Sequence, residues 1–348
     1  MMNAPVLQKP QFTFELPEYK FVPISTVYEQ TTEVQWLIED YIPKQSVGML
    51  YGPSGVGKSH LALDMAVKIA NGIPWCDQDT EKGVVLIMAG EGQSGLKRRL
   101  QSIEKHNGIT IDQNNLFVSE RAVGVDSDKG FMELVSAIEA LEKTPDLIIV
   151  DTLSRHLMSS SENSNEDMAA VINRLEQLKQ RYNTSILIVH HTGKNAKNGS
   201  RGASSIRANI DFSFVLTPFN FAGLSIAEFG CEKQKDASDQ LPTSSFQVIT
   251  VELDELDSKG RMVKGACIQR VKCQCDSEEK IYEGLALDTF MQVKSEWQQN
   301  FVEAFAREIV DSTYQPDTIK KIFREQVKLL VKNGYIEEVE KNNFELLD

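Results

Sequence analysis

Four stretches of the chain are apolar at nearly every position: Val47-Gly48-Met49-Leu50-Tyr51, Val84–Ala89, Leu147–Val150 and Ser185–Val189. Unbroken apolar runs of this length, bounded by glycine or polar residues, predict strands buried on both faces. Between them the period changes. Leu61, Met65 and Ile69 fall four apart before Gly72. Phe131–Leu141 shows helical spacing, and so do Met168, Val171, Ile172, Leu175 and Leu178. A basic helix is predicted around Leu96, Lys97, Arg98, Arg99 and Leu100. Buried strands alternating with amphipathic helices predict an α/β fold with a mainly parallel sheet. Thr152–Glu166 is a polar stretch. Phe212–Leu216, Leu224–Phe229, Phe246–Leu253 and Cys267–Lys272 read as later strands, antiparallel or at an edge. Asp257-Ser258-Lys259-Gly260 has turn chemistry between the last two.

The pattern divides the chain in three. Residues 1–32 read as an arm without a core of its own. Residues 33–280 form the α/β core, entered through a connector in which Trp36 and Leu37 anchor on the sheet. In residues 281–348 the period shifts again. Trp297, Phe301, Phe305 and Ile309 mark one helix, and Ile319, Phe323, Val327 and Leu330 a second. Asn333-Gly334 stops the second helix, and strands follow near Tyr335–Val339 and Phe344–Leu347. Helix, helix and hairpin in that order predict a small winged-helix-like α+β domain.

Charge and composition narrow the functions. The net charge is −13, which argues against a protein that coats duplex DNA with its whole surface. It leaves room for a locally basic channel. No apolar run approaches the ~20 residues of a membrane span, and the polar N-terminal stretch is unlike a signal peptide. The expectation is a cytoplasmic protein without a membrane partner. Cys76, Cys231, Cys267, Cys273 and Cys275 include no C-x-x-C pair and read as reduced thiols, with metal binding by the last three the less favoured alternative.

The chemistry centres on Gly52-Pro53-Ser54-Gly55-Val56-Gly57-Lys58-Ser59, which fits G-x-x-x-x-G-K-[ST] between a strand and a helix. Glycines let successive backbone N–H groups turn toward one phosphate, and the helix N-terminus adds its positive end. The eight residues and His60 after them form the expected ATP-binding set. Lys58, expected to face solvent, would reach the β- and γ-phosphates, and Ser59 would ligate Mg²⁺. Asp151 closes an apolar strand, as the carboxylate that orients Mg²⁺ does in such ATPases. Glu91 follows the strand Val84–Ala89 and is the candidate general base. His190 and His191 end the next strand, and alternation sends one to the site and the other to the core; His191 is favoured for the site.

These motifs recur in one order: the loop, Gly90-Glu91, Leu147–Asp151 with Thr152-Leu153-Ser154-Arg155, Glu162-Asn163-Ser164 before Asp167-Met168, His190-His191-Thr192-Gly193-Lys194, and Arg201–Arg207. In that order the chain resembles the RepA-like branch of the RecA/DnaB-type ATPases, the hexameric replicative helicases of plasmids and phages and their AAA-domain relatives. The resemblance spans Val34–Leu253. It implies a RecA-like core, a ring of six and ATP bound between subunits. It implies roles for Lys58, Ser59, Asp151, Glu91 and His191 at the nucleotide. It also implies a positive finger from a neighbouring subunit, with Arg207 one candidate and Lys233 and Lys235 the other. The chain departs from the plasmid helicase at Asn209–Asp211, so position alone does not place the finger.

The loop Thr192–Asn209 is basic and glycine-rich, with Lys194, Lys197 and Arg201 as candidate contacts to single-stranded DNA. Two functions share this ATPase site. One is an ATP-driven DNA translocase or helicase. The other is a loader, recombination mediator or regulatory switch that meets replication or recombination proteins through the C-terminal domain.

Overall fold

In a computed structural model the described residues are 19–29, 33–90, 92–191, 206–221, 224–271, 336–340 and 343–346. Each apolar run becomes a strand of one nine-stranded sheet. In chain order its strands are β3 (Val47–Gly52), β4 (Val85–Ala89), β5 (Leu116–Val118), β6 (Leu147–Asp151), β7 (Ser185–His191), β8 (Phe212–Phe221), β9 (Leu224–Gln234), β10 (Ser244–Leu256) and β11 (Met262–Val271). They lie in the order β11-β10-β9-β8-β3-β7-β6-β4-β5. From β8 to β5 all neighbours run parallel, whereas β9, β10 and β11 return antiparallel. Ahead of the sheet, β1 (Trp36–Ile38) and β2 (Ile42–Pro43) pair in a small ribbon, with Leu37 and Ile38 buried and Trp36 half-buried.

Strand alternation explains the two hydrophobic layers. On β7, Leu187 and Val189 face one core while Ile186 and Ile188 face the other. The first core takes α2 (Lys58–Asn71) and Ile103 of α3 (Gln93–Asn107); the second takes α4 (Asp128–Glu139) and α5 (Asn165–Tyr182). Gly72 ends α2 in the left-handed conformation that glycine adopts without strain. Ser127 and Ser164 cap α4 and α5, each side chain accepting from the backbone N–H three residues on.

Three features depart from the sequence expectation. β8 is neither antiparallel throughout nor at an edge, because it pairs parallel with β3 on one side and antiparallel with β9 on the other. Phe212, Phe214 and Leu216 bury against one core and Ser213 is buried between them, so both faces of its first half are covered. The Phe212 ring also occupies the space above Gly48, where a Cβ would stand 2.1 Å from it. β5 is too short and half-buried to announce itself in the pattern. Within the polar stretch, Leu153–His156 forms a 3-10 turn, and His156 is buried with its ring between Val123 and the Met88 carbonyl.

Before the ribbon, α1 (Ile24–Tyr28) buries none of its residues. Near the C-terminus, β12 (Ile336–Glu340) and β13 (Asn343–Leu346) pair antiparallel. The helices expected over 297–331 lie outside the described residues, as do Cys273 and Cys275. No helix among the described residues is long and apolar enough to cross a membrane.

Candidate nucleotide site

Three parallel neighbours, β3, β7 and β6, end at one edge, and each delivers a polar group there. The ladder pairs Gly52 with His191 and Asp151 with Val189. After Gly52 the chain curls through Pro53, Ser54, Gly55, Val56 and Gly57. Gly55 and Gly57 take φ of 82° and 101°, the positive region that favours glycine. Gly57 is the residue before α2, so Lys58 and Ser59 are the first two residues of that helix.

Lys58 departs from expectation: it is only 3% exposed. Its ammonium folds back over its own loop and donates to the carbonyls of Gly52 at 2.9 Å and Pro53 at 2.7 Å. It also lies 3.0 Å from His191 Nδ1. A lysine has only donors, so Nδ1 accepts and the imidazole proton sits on Nε2. The lysine is sheltered because the loop that it serves closes over its stem. His190, the preceding residue, turns into the opposite face and is buried there.

Ser59 Oγ donates to Asp151 Oδ1 at 2.9 Å. Beside them lies a hollow of about 20 Å³ lined by Ser59, Asp151 and Arg99 and otherwise by apolar side chains, Leu96 among them. The hydroxyl and the carboxylate are themselves oxygen donors of the kind that a hard cation takes, so this pair fits Mg²⁺.

Sequence reasoning missed two neighbours of the loop. Arg99 of α3 lines the hollow and approaches Gly92, where a Cβ would stand 2.5 Å from its Nη2. His60 is pushed down to about 4, chiefly by burial and then by the Arg99 charge. The signal was the basic doublet Arg98-Arg99 on a helix that starts after Gly92. The other is Val248 of β10, whose Cγ2 would lie 3.1 Å from a Cβ at Gly57 and which stays 39% exposed. β10 is brought there through β9 and β8, and the long-range step is the pairing of β8 with β3.

The finger candidates lie elsewhere. Arg207 Nη1 donates to Glu232 Oε2 at 2.6 Å and to Tyr51 Oη at 3.0 Å, with its guanidinium over the Tyr51 ring. Tyr51 Oη itself donates to Glu232. Burial first, then this carboxylate, raises the Tyr51 pKa. Lys233 Nζ donates to the carbonyls of Arg207 and Ile210, and burial lowers its pKa. Lys235 Nζ lies 3.1 Å from Asp211 Oδ1, and that bond raises its pKa. Register fixes their height. Gln234 pairs with Phe212, which pairs with Gly48 near the start of β3. Lys233 and Lys235 therefore sit at the opposite edge of the sheet from the loop, roughly 13 Å away along the strand. Glu91, Lys194, Lys197 and Arg201 lie outside the described residues.

Among solved structures, the chain is similar to a KaiC-like protein of the hyperthermophilic archaeon Pyrococcus horikoshii, with a TM-score of 0.45 and 13% identity over 67% of this chain and 93% of that one. The family described as AAA domain matches residues 13–197, more than half of the chain. This chain belongs to the AAA domain family.

Proposed function

We propose that the chain is an Mg²⁺-dependent ATPase that assembles as a hexameric ring and translocates on single-stranded DNA, a replicative helicase of the RepA-like phage and plasmid type. The observation that carries the ATPase reading is the convergence of Lys58, Ser59, Asp151 and His191 at one sheet edge. Lys58 moves from its loop carbonyls onto the β- and γ-phosphates, and the loop N–H groups hold the same oxygens. Ser59 and Asp151 would hold Mg²⁺, which would supply neutralisation of the phosphate charge. Glu91 takes the proton of the attacking water, and His191 follows the change at the γ-phosphate.

The positive finger comes from a neighbour. Lys233 and Lys235 stand at the wrong edge to reach their own loop, so either acts only across an interface. Arg207, whose guanidinium lies over the ring of Tyr51, is the second candidate. Lys194, Lys197 and Arg201 gather in the ring opening and hold the strand. Residues 281–348 are the part of the chain that would dock replication or recombination proteins.

The net charge of −13 favours a second reading, a loader or mediator that binds partners without unwinding. A strand-displacement assay on forked DNA with ATP separates the two. Displacement that needs both ATP and an intact Lys58 supports the helicase. ATP hydrolysis with no displacement overturns it in favour of the loader.

A further inference from the structure

Arg99 of α3 is a charged group at this edge that the proposed reaction leaves unused. Side chains of an α-helix point back toward its N-terminus. The Arg99 guanidinium does so, reaching toward Gly92, about two turns earlier and just before α3 begins. Gly92 takes φ of 65°, and a Cβ there would stand 2.5 Å from Arg99 Nη2. The backbone and the guanidinium thus both ask for glycine at this turn. The same arginine lines the hollow beside Ser59 and Asp151.

Its neighbours on α3 show what Arg99 lacks. Lys97 pairs with Glu255 at 3.0 Å and Lys105 with Asp254 at 2.7 Å, both toward the end of β10. Arg99 is half-buried, and among the described residues no acceptor lies within bonding distance of its guanidinium. A half-buried cation gives up water, and an anion that meets it offsets that cost. The N-terminal end of α3 lies beside the guanidinium, and α2 opens with Lys58 and Ser59, so two helix dipoles turn their positive ends here. Against these stands one carboxylate among the residues lining the hollow, Asp151, which accepts from Ser59.

We propose that Arg99 binds the phosphates of the nucleotide held in its own subunit's loop, gripping them from the side opposite Lys58. This rests on reading Gly52–Ser59 as the nucleotide site. The sheet order supports a two-sided grip. Lys58 meets His191 at the end of β7, and Arg99 lies against Gly92 just after β4, with β6 and its Asp151 between those strands. A guanidinium presents a planar fork of donors that matches two phosphate oxygens, whereas an ammonium is a point charge. Lys58 therefore supplies charge, and Arg99 supplies charge and fixes the orientation of the phosphate. Arg99 and the loop belong to one chain, so this contact forms in a single subunit, independently of any finger from a neighbour.

The test is binding of a fluorescent, non-hydrolysable ATP analogue with Mg²⁺ to the full chain, with the melting temperature of the nucleotide-free protein measured alongside. Arg99→Ala should weaken binding by about 10–100-fold, the loss expected for one charge-assisted phosphate contact. Its nucleotide-free melt should stay within about 2 °C of the native protein. Arg99→Lys keeps the charge without the fork and should lose about 3–10-fold. Affinity of Arg99→Ala within about twofold of native overturns the contact and leaves the nucleotide site standing. Where Arg99→Ala melts well below the native protein, Arg99→Lys decides. A loss of about 3–10-fold with a native melt then supports the contact, and native affinity overturns it. Failure of the native protein to bind the analogue overturns the nucleotide site, and the Arg99 contact with it.

Discussion

Lys58 opens the helix that follows β3 and Lys235 follows the end of β9, and the fold holds these two lysines in opposite ways. Lys58 is buried and bonded to carbonyls five and six residues before it. Lys235 has a side chain 61% exposed and meets Asp211, on a segment brought near by the β8–β9 register. The first cation is placed by local backbone curvature, and the second by non-local pairing. A group placed locally serves the loop that placed it. A group at the far edge of the sheet, carried outward on an exposed side chain, is available only to another molecule.

The widest gap between the two regions should appear on substitution of Lys58. Lys58→Ala should lower ATP turnover by about 10³-fold, the order seen when a charge-stabilising donor is lost. Because Lys58 is buried, the change also strands two carbonyls, and urea unfolding should show a loss of about 1–3 kcal/mol. Unchanged turnover would remove the nucleotide site from this edge and end the comparison.

Glu91→Gln sharpens the same side. Turnover should fall ~10²–10⁴-fold with nucleotide affinity intact, as for loss of a general base. A collapse of affinity instead would make Glu91 an organiser of the loop.

Mixing subunits tests the other side. A Lys58→Ala chain has intact fingers, and an Arg207→Ala or Lys235→Ala chain has an intact loop. If the finger acts in trans, equal mixing should restore activity at roughly a quarter of the interfaces, as random assortment around a heterologous ring requires. Steady-state ATPase of the mixture against each parent measures this. A mixture no more active than its parents assigns the cation to its own subunit, where the register gives Lys235 no route to the loop.

The helix that begins with Lys58 carries a pH-sensitive group on its buried side. Asp64 accepts from Trp75 Nε1 at 3.0 Å, and burial pushes its carboxyl up to about 6. The folded protein thus binds a proton there that the unfolded chain releases near pH 4. Stability falls as pH rises between these values, by about 3 kcal/mol in total. Asp64→Asn keeps an acceptor for Trp75 and removes the titration. Its melting temperature should exceed that of the native protein at pH 7.5 and match it near pH 4. A native-like melt at pH 7.5 would show that Asp64 is not strained, and that α2 holds the loop without this cost.

How much of this was legible follows from the same division. Gly52–Ser59 could be read because its geometry depends on residues within one turn. The buried runs of β3, β4, β6 and β7 could be read because both faces are covered. His191 and Asp151 followed from their places at strand ends. β8 was misread because its parallel partner, β3, lies some 160 residues earlier in the chain, and an apolar strand looks alike with either neighbour. The burial of Lys58 was missed because pattern reading treats a lysine as solvated. Arg99 and Val248 were missed because α3 and β10 approach the loop only in the folded sheet. None of the partners of Arg207, Tyr51 and Glu232, is within 20 residues of it.

The smallest expected effect is the most discriminating for Lys235. Its side chain is 61% exposed and its ion pair with Asp211 is screened by water. Exposed pairs of this kind contribute about 0–1 kcal/mol, so Lys235→Ala should shift urea unfolding by less than about 0.5 kcal/mol. Asp211 keeps its bond from Val47 N at 3.0 Å and lies 3.6 Å from Lys179 Nζ, so its carboxylate is not stranded by the change. A stability loss well above that bound would mean that Lys235 is a structural cation for the start of β3. A silent melt leaves its charge free for a neighbour. If it serves there, the same variant should lose activity only in the assembled state, and the loss should grow with protein concentration as rings form. Equal activity of Lys235→Ala and the native protein at every concentration would pass the finger to Arg207.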